Sequence, residues 1–201
     1  KEDIRQRLAE MKERGIENIL ALRGDKPKEY VPGPYTYAID LIRDIKSQGD
    51  FCIGGACYPD GHVECEHKED DIAFLKEKVE AGCDFLTTQM FFDNNVYYNF
   101  LYRVLAVGIQ VPVIPGIMPV INARQVKRSA ELSGTSLPPR FKAIADKFSD
   151  DPLAMEQAGI AYATEQIIDL VANGVKYIHL YTMNRPQTAA KIMENLSHIL
   201  R

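Results

Sequence analysis

Five apolar runs of the sequence end in residues whose side chains could bind a cofactor or a substrate. These side chains are charged or form hydrogen bonds, as such contacts require. In chain order they are Arg23 and Asp25, then Tyr58 and His62, then Gln89, then Asn122 and Gln125, and finally Asn184 and Arg185. Gln89 differs from the others because it lies inside the third run, which closes with Asp93. In a closed barrel of parallel strands, the carboxyl ends of the strands meet at one mouth, where active sites lie. If the runs are such strands, the sequence predicts one shared site.

Each of these residues also has a purely structural interpretation. Arg23 and Asp25 could pair with each other and stabilise the loop that carries them, and His62 could be a solvated loop residue. Gln89 could be a core amide whose partners are other protein groups. A buried amide without partners costs about 1–3 kcal/mol, and three large apolar residues follow Gln89 directly. We therefore favour a binding role for Gln89.

Cysteine and histidine cluster at Cys57, His62, Cys65 and His67. Both residue types bind zinc, but this spacing matches none of the common structural-zinc patterns, and Cys57 falls within an apolar run. A zinc site is therefore the minor hypothesis, and no metal is predicted. The chain has four cysteines, which are expected to be thiols in a reducing compartment rather than a disulfide framework.

The elements that must position these residues follow an alternating pattern. The apolar runs, rich in Ile, Val, Phe and Leu, predict buried parallel strands at 18–22, 51–57, 85–92, 111–117 and 177–182. Amphipathic segments between them predict helices. Gly15, Gly82, Gly108 and Gly174 stand where a left-handed residue would end each helix. Residues 132–175 predict an insertion with a short helix near 140–148, then a crossover helix opened by Asp151 and Pro152.

Strands that alternate with helices indicate an α/β fold with a parallel sheet. An open doubly wound sheet and a closed (β/α)₈ barrel both fit this pattern, but the nucleotide-binding glycine fingerprint of the open fold is absent. The chain opens in a helix and holds about five strands, whereas a barrel has eight and typically about 250 residues. The expectation is one partial catalytic domain, residues 1–201, of a barrel whose first three strands are missing.

Composition and charge exclude several function classes. The formal net charge is −4, so there is no basic surface for nucleic acid or an anionic membrane. No apolar run is long enough to span a membrane, and the first residues do not resemble a signal peptide. A cytoplasmic location is therefore expected.

Six motifs, in order along the chain, carry a resemblance to a known family. They are Ala21 to Asp25, Tyr37-Ala38, Tyr58-Pro59 with His62, Thr88 to Asp93, Pro115 to Pro119, and Tyr181 to Arg185. Together they resemble methylenetetrahydrofolate reductase, and the match covers essentially the whole chain. The family is a flavin-dependent barrel that reduces methylenetetrahydrofolate to methyltetrahydrofolate with a hydride from reduced FAD.

The resemblance also implies roles for individual residues. Asp25 would lie beside both the flavin and the pterin, as a catalytic residue that tunes the flavin. Gln89 would hold the pterin ring, and Gln125 and Arg185 the rest of the folate, with Arg185 suited to a carboxylate. The FAD site would be lined by Arg23, Gly24, Asp25, Ala38, Tyr58, His62, Asp71 and Lys78. Phe74 and Glu77 depart from the family pattern at the phosphate end of that site.

The resemblance does not identify the electron donor, the oligomeric state or the activity of this 201-residue chain. NADH, NADPH or a protein donor could recharge the flavin, and a homo-oligomer is expected. The family's proton donor, a glutamate near the N-terminus of the barrel, has no counterpart in these 201 residues. Expressed alone, they are therefore expected to bind FAD poorly and turn over negligibly. The alternatives are a non-catalytic flavin- or folate-binding fragment or partner subunit and, as a third hypothesis, a zinc-binding barrel of unrelated function.

Overall fold

The computed structural model describes residues 2–24, 29, 31, 33–65, 67–123, 130 and 133–200, apart from the side chains of residues 68 and 69. Two of the candidate site residues, Asp25 and Gln125, lie outside the described residues. Arg23, Gly24, Ala38, Tyr58, His62, Asp71, Lys78, Gln89 and Arg185 lie within them.

Helices and strands alternate along most of the described chain. The helices are α1 (Glu2–Glu13), α2 (Ala38–Gln48), α3 (Lys68–Glu80), α4 (Asn94–Ala106), α5 (Pro139–Phe148), α6 (Pro152–Ala172) and α7 (Pro186–Asn195). The strands are β1 (Asn18–Ala21), β2 (Cys52–Cys57), β3 (Phe85–Thr88), β4 (Val113–Ile114), β5 (Gly116–Ile117) and β6 (His179–Leu180). Among these described helices, none is both long enough and apolar enough to cross a membrane.

The strands form two sheets, one with the order β1-β2-β3-β4 and the other with β5 beside β6. β1 and β2 are parallel, with Asn18 opposite Cys52. β5 and β6 are also parallel, with Gly116 opposite His179. The prediction of an α/β fold with parallel strands is confirmed.

All five predicted strands are shorter in the structure, and of the run 177–182 only His179–Leu180 is strand. Two of the predicted strands also differ in form. The run 111–117 forms the separate short strands β4 and β5, which are interrupted at Pro115, a residue without an N–H for a sheet ladder. The run 85–92 leaves the sheet after Thr88. The Met90 N–H donates to the Gln89 side chain, and the carbonyls of Phe91 and Phe92 accept hydrogen bonds from side chains of α6. The residues after Thr88 are therefore apolar because α6 covers them, and not because they continue the β-sheet.

The helix ends follow the sequence signals. Asp151 accepts hydrogen bonds from the backbone N–H groups of Leu153 and Ala154, and Pro152 stands in the first turn of α6, so the predicted helix start is confirmed. The four glycines predicted to end helices all have positive φ angles, between 70° and 117°. Asp40 caps α2 by accepting hydrogen bonds from the backbone N–H groups of Thr36 and Tyr37.

The chain divides into two compact units, each with its own interior. The first consists of Lys1–Cys57, His67–Thr87 and Arg103–Val113, and the second of Tyr58–Glu66, Thr88–Tyr102 and Ile114–Arg201. In the first unit, the buried side chains include Leu8, Ile42, Ile45, Ile53, Leu75 and Leu86. The core of the second is the cluster of Met90, Phe92, Val120, Phe141 and Met155, in which the Phe92 and Phe141 rings stack with centroids 4.5 Å apart.

Helix α6 packs against the segment after β5 at a glycine. A Cβ atom built on Gly159 would lie 1.7 Å from the carbonyl oxygen of Val120, closer than any real contact. The helix can therefore approach the backbone of Val120 this closely only because Gly159 has no side chain.

Replacing Gly159 with alanine is expected to lower the free energy of unfolding by about 2 kcal/mol, because the methyl group must displace backbone in a packed core. This loss should appear although alanine favours a helix over glycine by about 1 kcal/mol. The measurement is urea denaturation of the chain, with Gln157→Ala, an exposed position on the same helix, as the control. A Gly159→Ala protein as stable as the wild type would contradict the close packing.

Candidate functional site

In the second unit, the segment that follows β2 holds Tyr58 and His62 side by side. Their rings meet edge to face with centroids 4.4 Å apart. The Glu64 N–H donates to Nδ1 of His62, and the N–H groups of Gly61 and Cys65 donate to the carbonyls of Tyr58 and His62. These hydrogen bonds stabilise the turn that carries the two rings. Both rings are half-buried.

Gln89 lies directly after β3 and is held by bonds to neighbouring backbone. Its Oε1 atom accepts the Met90 N–H at 3.0 Å, which leaves the Nε2 group without a hydrogen bond to any described residue. Thr88, the residue before it, accepts the Gly116 N–H on its hydroxyl and the Tyr181 hydroxyl on its carbonyl, both at 2.8 Å. The amide of Gln89 is therefore oriented by bonds on one side and keeps two donors on the other.

One cleft of the second unit brings two predicted site residues together. It is lined by Tyr58, Pro59, Asp60, Gly61, Gln89, Met90, Ser133 and Thr135. Tyr58 and Gln89 thus line the same cleft. Sequence reasoning treated 132–175 as an insertion and missed Ser133 and Thr135, whose only sequence signal is a run of small polar residues, Ser-Gly-Thr-Ser.

Arg185 lines a different cleft of the same unit. The other residues that line this cleft are Met118, Pro119, Val120, Ile121, Asn122, Thr182, Met183 and Thr188. The side chain of Arg185 is exposed. Arg185 and Asn122 therefore line the same cleft, and Gln89 lines another.

The backbone before Arg185 adopts an uncommon conformation. Met183 and Asn184 have φ angles of 50° and 58°, the left-handed region that residues with a side chain rarely enter. Such positions cost on the order of 1–3 kcal/mol each and gather at functional sites. Arg185 follows as the N-cap of α7, with its N–H bonded to the Thr182 carbonyl. Sequence reasoning missed this turn, for which an asparagine is the only local signal.

In the first unit, the predicted residues Arg23, Gly24 and Ala38 lie near the ends of β1 and α2. The half-buried Arg23 side chain donates through Nε to the carbonyl of Gly24 at 3.2 Å. Gly24 has a φ of 78°, and Ala38 is the half-buried first residue of α2. The alternative in which Arg23 pairs with Asp25 falls outside the described residues.

Lys78 of α3 points its ammonium group into the interior of the first unit, where Nζ donates to the carbonyl of Ala56 at 2.7 Å. Burial lowers the pKa of Lys78, although Cys57, Cys83 and Asp71 act in the opposite direction. The thiols do not balance its charge, because burial raises the pKa of Cys83 to about 11 and that of Cys57 even further. Asp71, two turns earlier on α3, is the carboxylate that favours the charged form of Lys78.

The two residues that depart from the family pattern lie on α3 as well. Phe74 is 60% exposed, and Glu77 is exposed. Neither is buried among groups that would explain its residue type by packing.

The cysteines and histidines of the zinc hypothesis have ordinary surroundings. All four cysteines are free, and Cys57 and Cys83 are buried. His67 is the N-cap residue of α3. Among the described residues, no group of three or more His, Cys, Asp or Glu side chains is placed to hold a metal ion.

Comparison with known proteins gives consistent matches over the length of the chain. A family model described as methylenetetrahydrofolate reductase matches residues 1–197. The methylenetetrahydrofolate reductase (NADH) 1 of Zea mays is 36% identical over 214 residues, which cover 98% of this chain and 36% of that protein. The 5,10-methylenetetrahydrofolate reductases of Pectobacterium carotovorum and Escherichia coli K12 are 36% and 38% identical, over 98% and 90% of this chain.

The chain spans only part of each of these relatives, namely 65% and 61% of the two bacterial proteins and about a third of the maize protein. Among solved structures, it resembles an uncharacterized Clostridium thermocellum protein that binds two copies of 5-methyl-5,6,7,8-tetrahydrofolic acid. The TM-score is 0.56 at 15% identity, over 89% of this chain and 61% of that one, which supports the fold alone. From the family model and these relatives, the chain belongs to the methylenetetrahydrofolate reductase family.

Proposed function

We propose that the protein containing this chain is a flavin-dependent oxidoreductase that reduces methylenetetrahydrofolate to methyltetrahydrofolate. The observation that carries the proposal is that Gln89 and Tyr58 line the same cleft, since the family resemblance assigns one to the folate and the other to the flavin. Family membership over residues 1–197 supports the same reading. Residues 1–201 would form part of one catalytic barrel domain.

FAD suits the charges and side chains that the described residues offer. In the first unit, Arg23, Gly24, Ala38, Asp71 and Lys78 are the proposed FAD residues. Lys78 supports this assignment because burial lowers its pKa and an anionic diphosphate would stabilise its charged form. In the second unit, Tyr58 and His62 offer an aromatic edge and a polar ring for the flavin. When bound, FAD supplies the hydride chemistry, and the protein supplies orientation and electrostatics.

The folate would be recognised by amide and guanidinium groups. Gln89 offers two N–H donors to the ring nitrogens and oxygen of a pterin, held in place by its bond to the Met90 N–H. Arg185 offers a planar fork for a carboxylate. Gln125 and the catalytic Asp25 complete the proposed set, and both lie outside the described residues.

The electron donor, assembly and location remain proposals. NADH is named for the maize relative and NADPH or a protein donor would serve the same chemistry. A homo-oligomer in the cytoplasm is proposed. The second candidate is a non-catalytic flavin- or folate-binding subunit.

The first test is an anaerobic absorbance spectrum of the natural protein and of these 201 residues alone, each with methyltetrahydrofolate added. We expect a flavin spectrum that bleaches in the natural protein, and little flavin and negligible turnover for the 201 residues. A natural protein without flavin would sink the proposal. Flavin that never bleaches, with no turnover, would favour the non-catalytic subunit.

Lys78→Met in the natural protein is expected to weaken FAD binding about tenfold to a hundredfold, as the loss of a charge-assisted hydrogen bond predicts. The matched control is Lys76→Met, an exposed lysine on the same helix. The measurement is a fluorescence titration of the apoprotein with FAD. Equal affinities for the two variants would remove Lys78 from the site.

Gln89→Leu is expected to raise the KM for methylenetetrahydrofolate about threefold to tenfold, because one neutral hydrogen bond is lost. Its FAD content should stay that of the wild type, since the proposed partner of Gln89 is the pterin. Gln157→Leu, an exposed glutamine of α6, is the control for steady-state kinetics. An unchanged KM in Gln89→Leu would show that the amide does not contact the folate.

A further inference from the structure

The 58–65 loop, which carries Tyr58 and His62, is braced within itself. Backbone bonds close it at both ends, from Gly61 to Tyr58 and from Cys65 to His62. The Tyr58 and His62 rings pack edge to face in the middle. These contacts connect both rings to the rest of the loop, so a bond that restrains the loop also restrains the rings.

A second segment, the 133–136 strap, is anchored beside Gln89. The hydroxyl of Thr135 donates to the Met90 carbonyl at 3.2 Å, and this side chain is only 7% exposed. The Ser133 hydroxyl lies 2.8 Å from the Thr135 hydroxyl, and the Thr135 N–H donates to the Ala130 carbonyl. Leu137, which follows the strap, packs on the core cluster of the second unit.

The strap also holds the 58–65 loop. The Ser136 hydroxyl donates to Oδ1 of Asp60 at 2.7 Å, a charge-assisted bond. Next to it, Gly134 faces Val63 so closely that a Cβ on Gly134 would lie 2.8 Å from the Val63 side chain. The strap thus bridges the backbone next to Gln89 and the loop that carries Tyr58 and His62.

We propose that Asp60 and Ser136 are positioning residues, a latch that sets the 58–65 loop at its distance from Gln89. Neither residue is among those that the family resemblance assigns to the flavin or the folate. The inference rests on the proposed function in one respect: Tyr58 and His62 would contact the flavin and Gln89 the pterin, and hydride transfer would require the two ring systems to lie close together. Misplacement of the loop would then lower the rate without removing any group that touches the ligands.

The experiment compares Ser136→Ala with Ser136→Thr, which keeps the hydroxyl, and with Ser149→Ala, an exposed serine at the end of α5. Hydrogen exchange of the natural protein, read by mass spectrometry, should be about threefold to tenfold faster over 58–65 in Ser136→Ala alone. With methylenetetrahydrofolate, kcat/KM should fall about fivefold or more in the same variant. The visible circular dichroism of the bound flavin should change with it, and Ser136→Thr should restore all three.

Each result decides a separate point. Unchanged exchange over 58–65 in Ser136→Ala would overturn the latch, whatever the protein's activity. Faster exchange with unchanged kcat/KM and an unchanged flavin spectrum would overturn the positioning role. A wild-type protein that lacks reductase activity would refute the proposed function, while the exchange data would still decide whether the latch exists.

Discussion

The architecture of the candidate folate cleft depends on how β3 ends. Thr88, its last residue, accepts the N–H of Gly116 on its hydroxyl and the Tyr181 hydroxyl on its carbonyl. The contact is so close that a Cβ on Gly116 would lie 2.4 Å from the Thr88 carbonyl oxygen. These bonds tie the end of β3 to β5 and to the residue after β6, and Gln89 is the next residue in the chain. Because these bonds hold Thr88 in place, they also fix the position of the Gln89 backbone from which its side-chain amide extends.

Beyond Gln89, side chains of α6 replace the sheet. Gln166 donates to the Phe91 carbonyl at 3.2 Å and Tyr162 to the Phe92 carbonyl at 2.5 Å. The same helix meets the start of α4, where Asp169 accepts hydrogen bonds from Asn94 and Tyr98. Because a long helix satisfies this backbone, the chain can turn away from the sheet while its apolar side chains stay in the core.

Much of this arrangement could be read from the sequence, and the exceptions have physical causes. The start of α6 at Asp151 follows from a local pattern, an N-cap before proline. The amide of Gln89 stands out within an apolar run, but that run predicts a strand as far as residue 92 and not one that ends just before Gln89. The end of β3 at Thr88 could not be foreseen, because it depends on Gln166 and Tyr162, more than seventy residues away. The Asp60–Ser136 bond likewise joins distant residues with no periodic pattern. The environment of Lys78 could be stated only once the neutral thiols beside it were known.

The left-handed pair Met183 and Asn184 has a consequence for which sequences can occupy this turn. Because two successive residues have positive φ angles, the backbone conformation of this turn sets the direction in which the Arg185 side chain extends. Asparagine, aspartate and glycine enter this region at low cost, whereas valine, isoleucine and threonine resist it. Substitutions at these two positions are therefore restricted by the backbone conformation that the new residue must adopt, and not by its polarity. A β-branched residue there would strain the turn from which the Arg185 side chain extends.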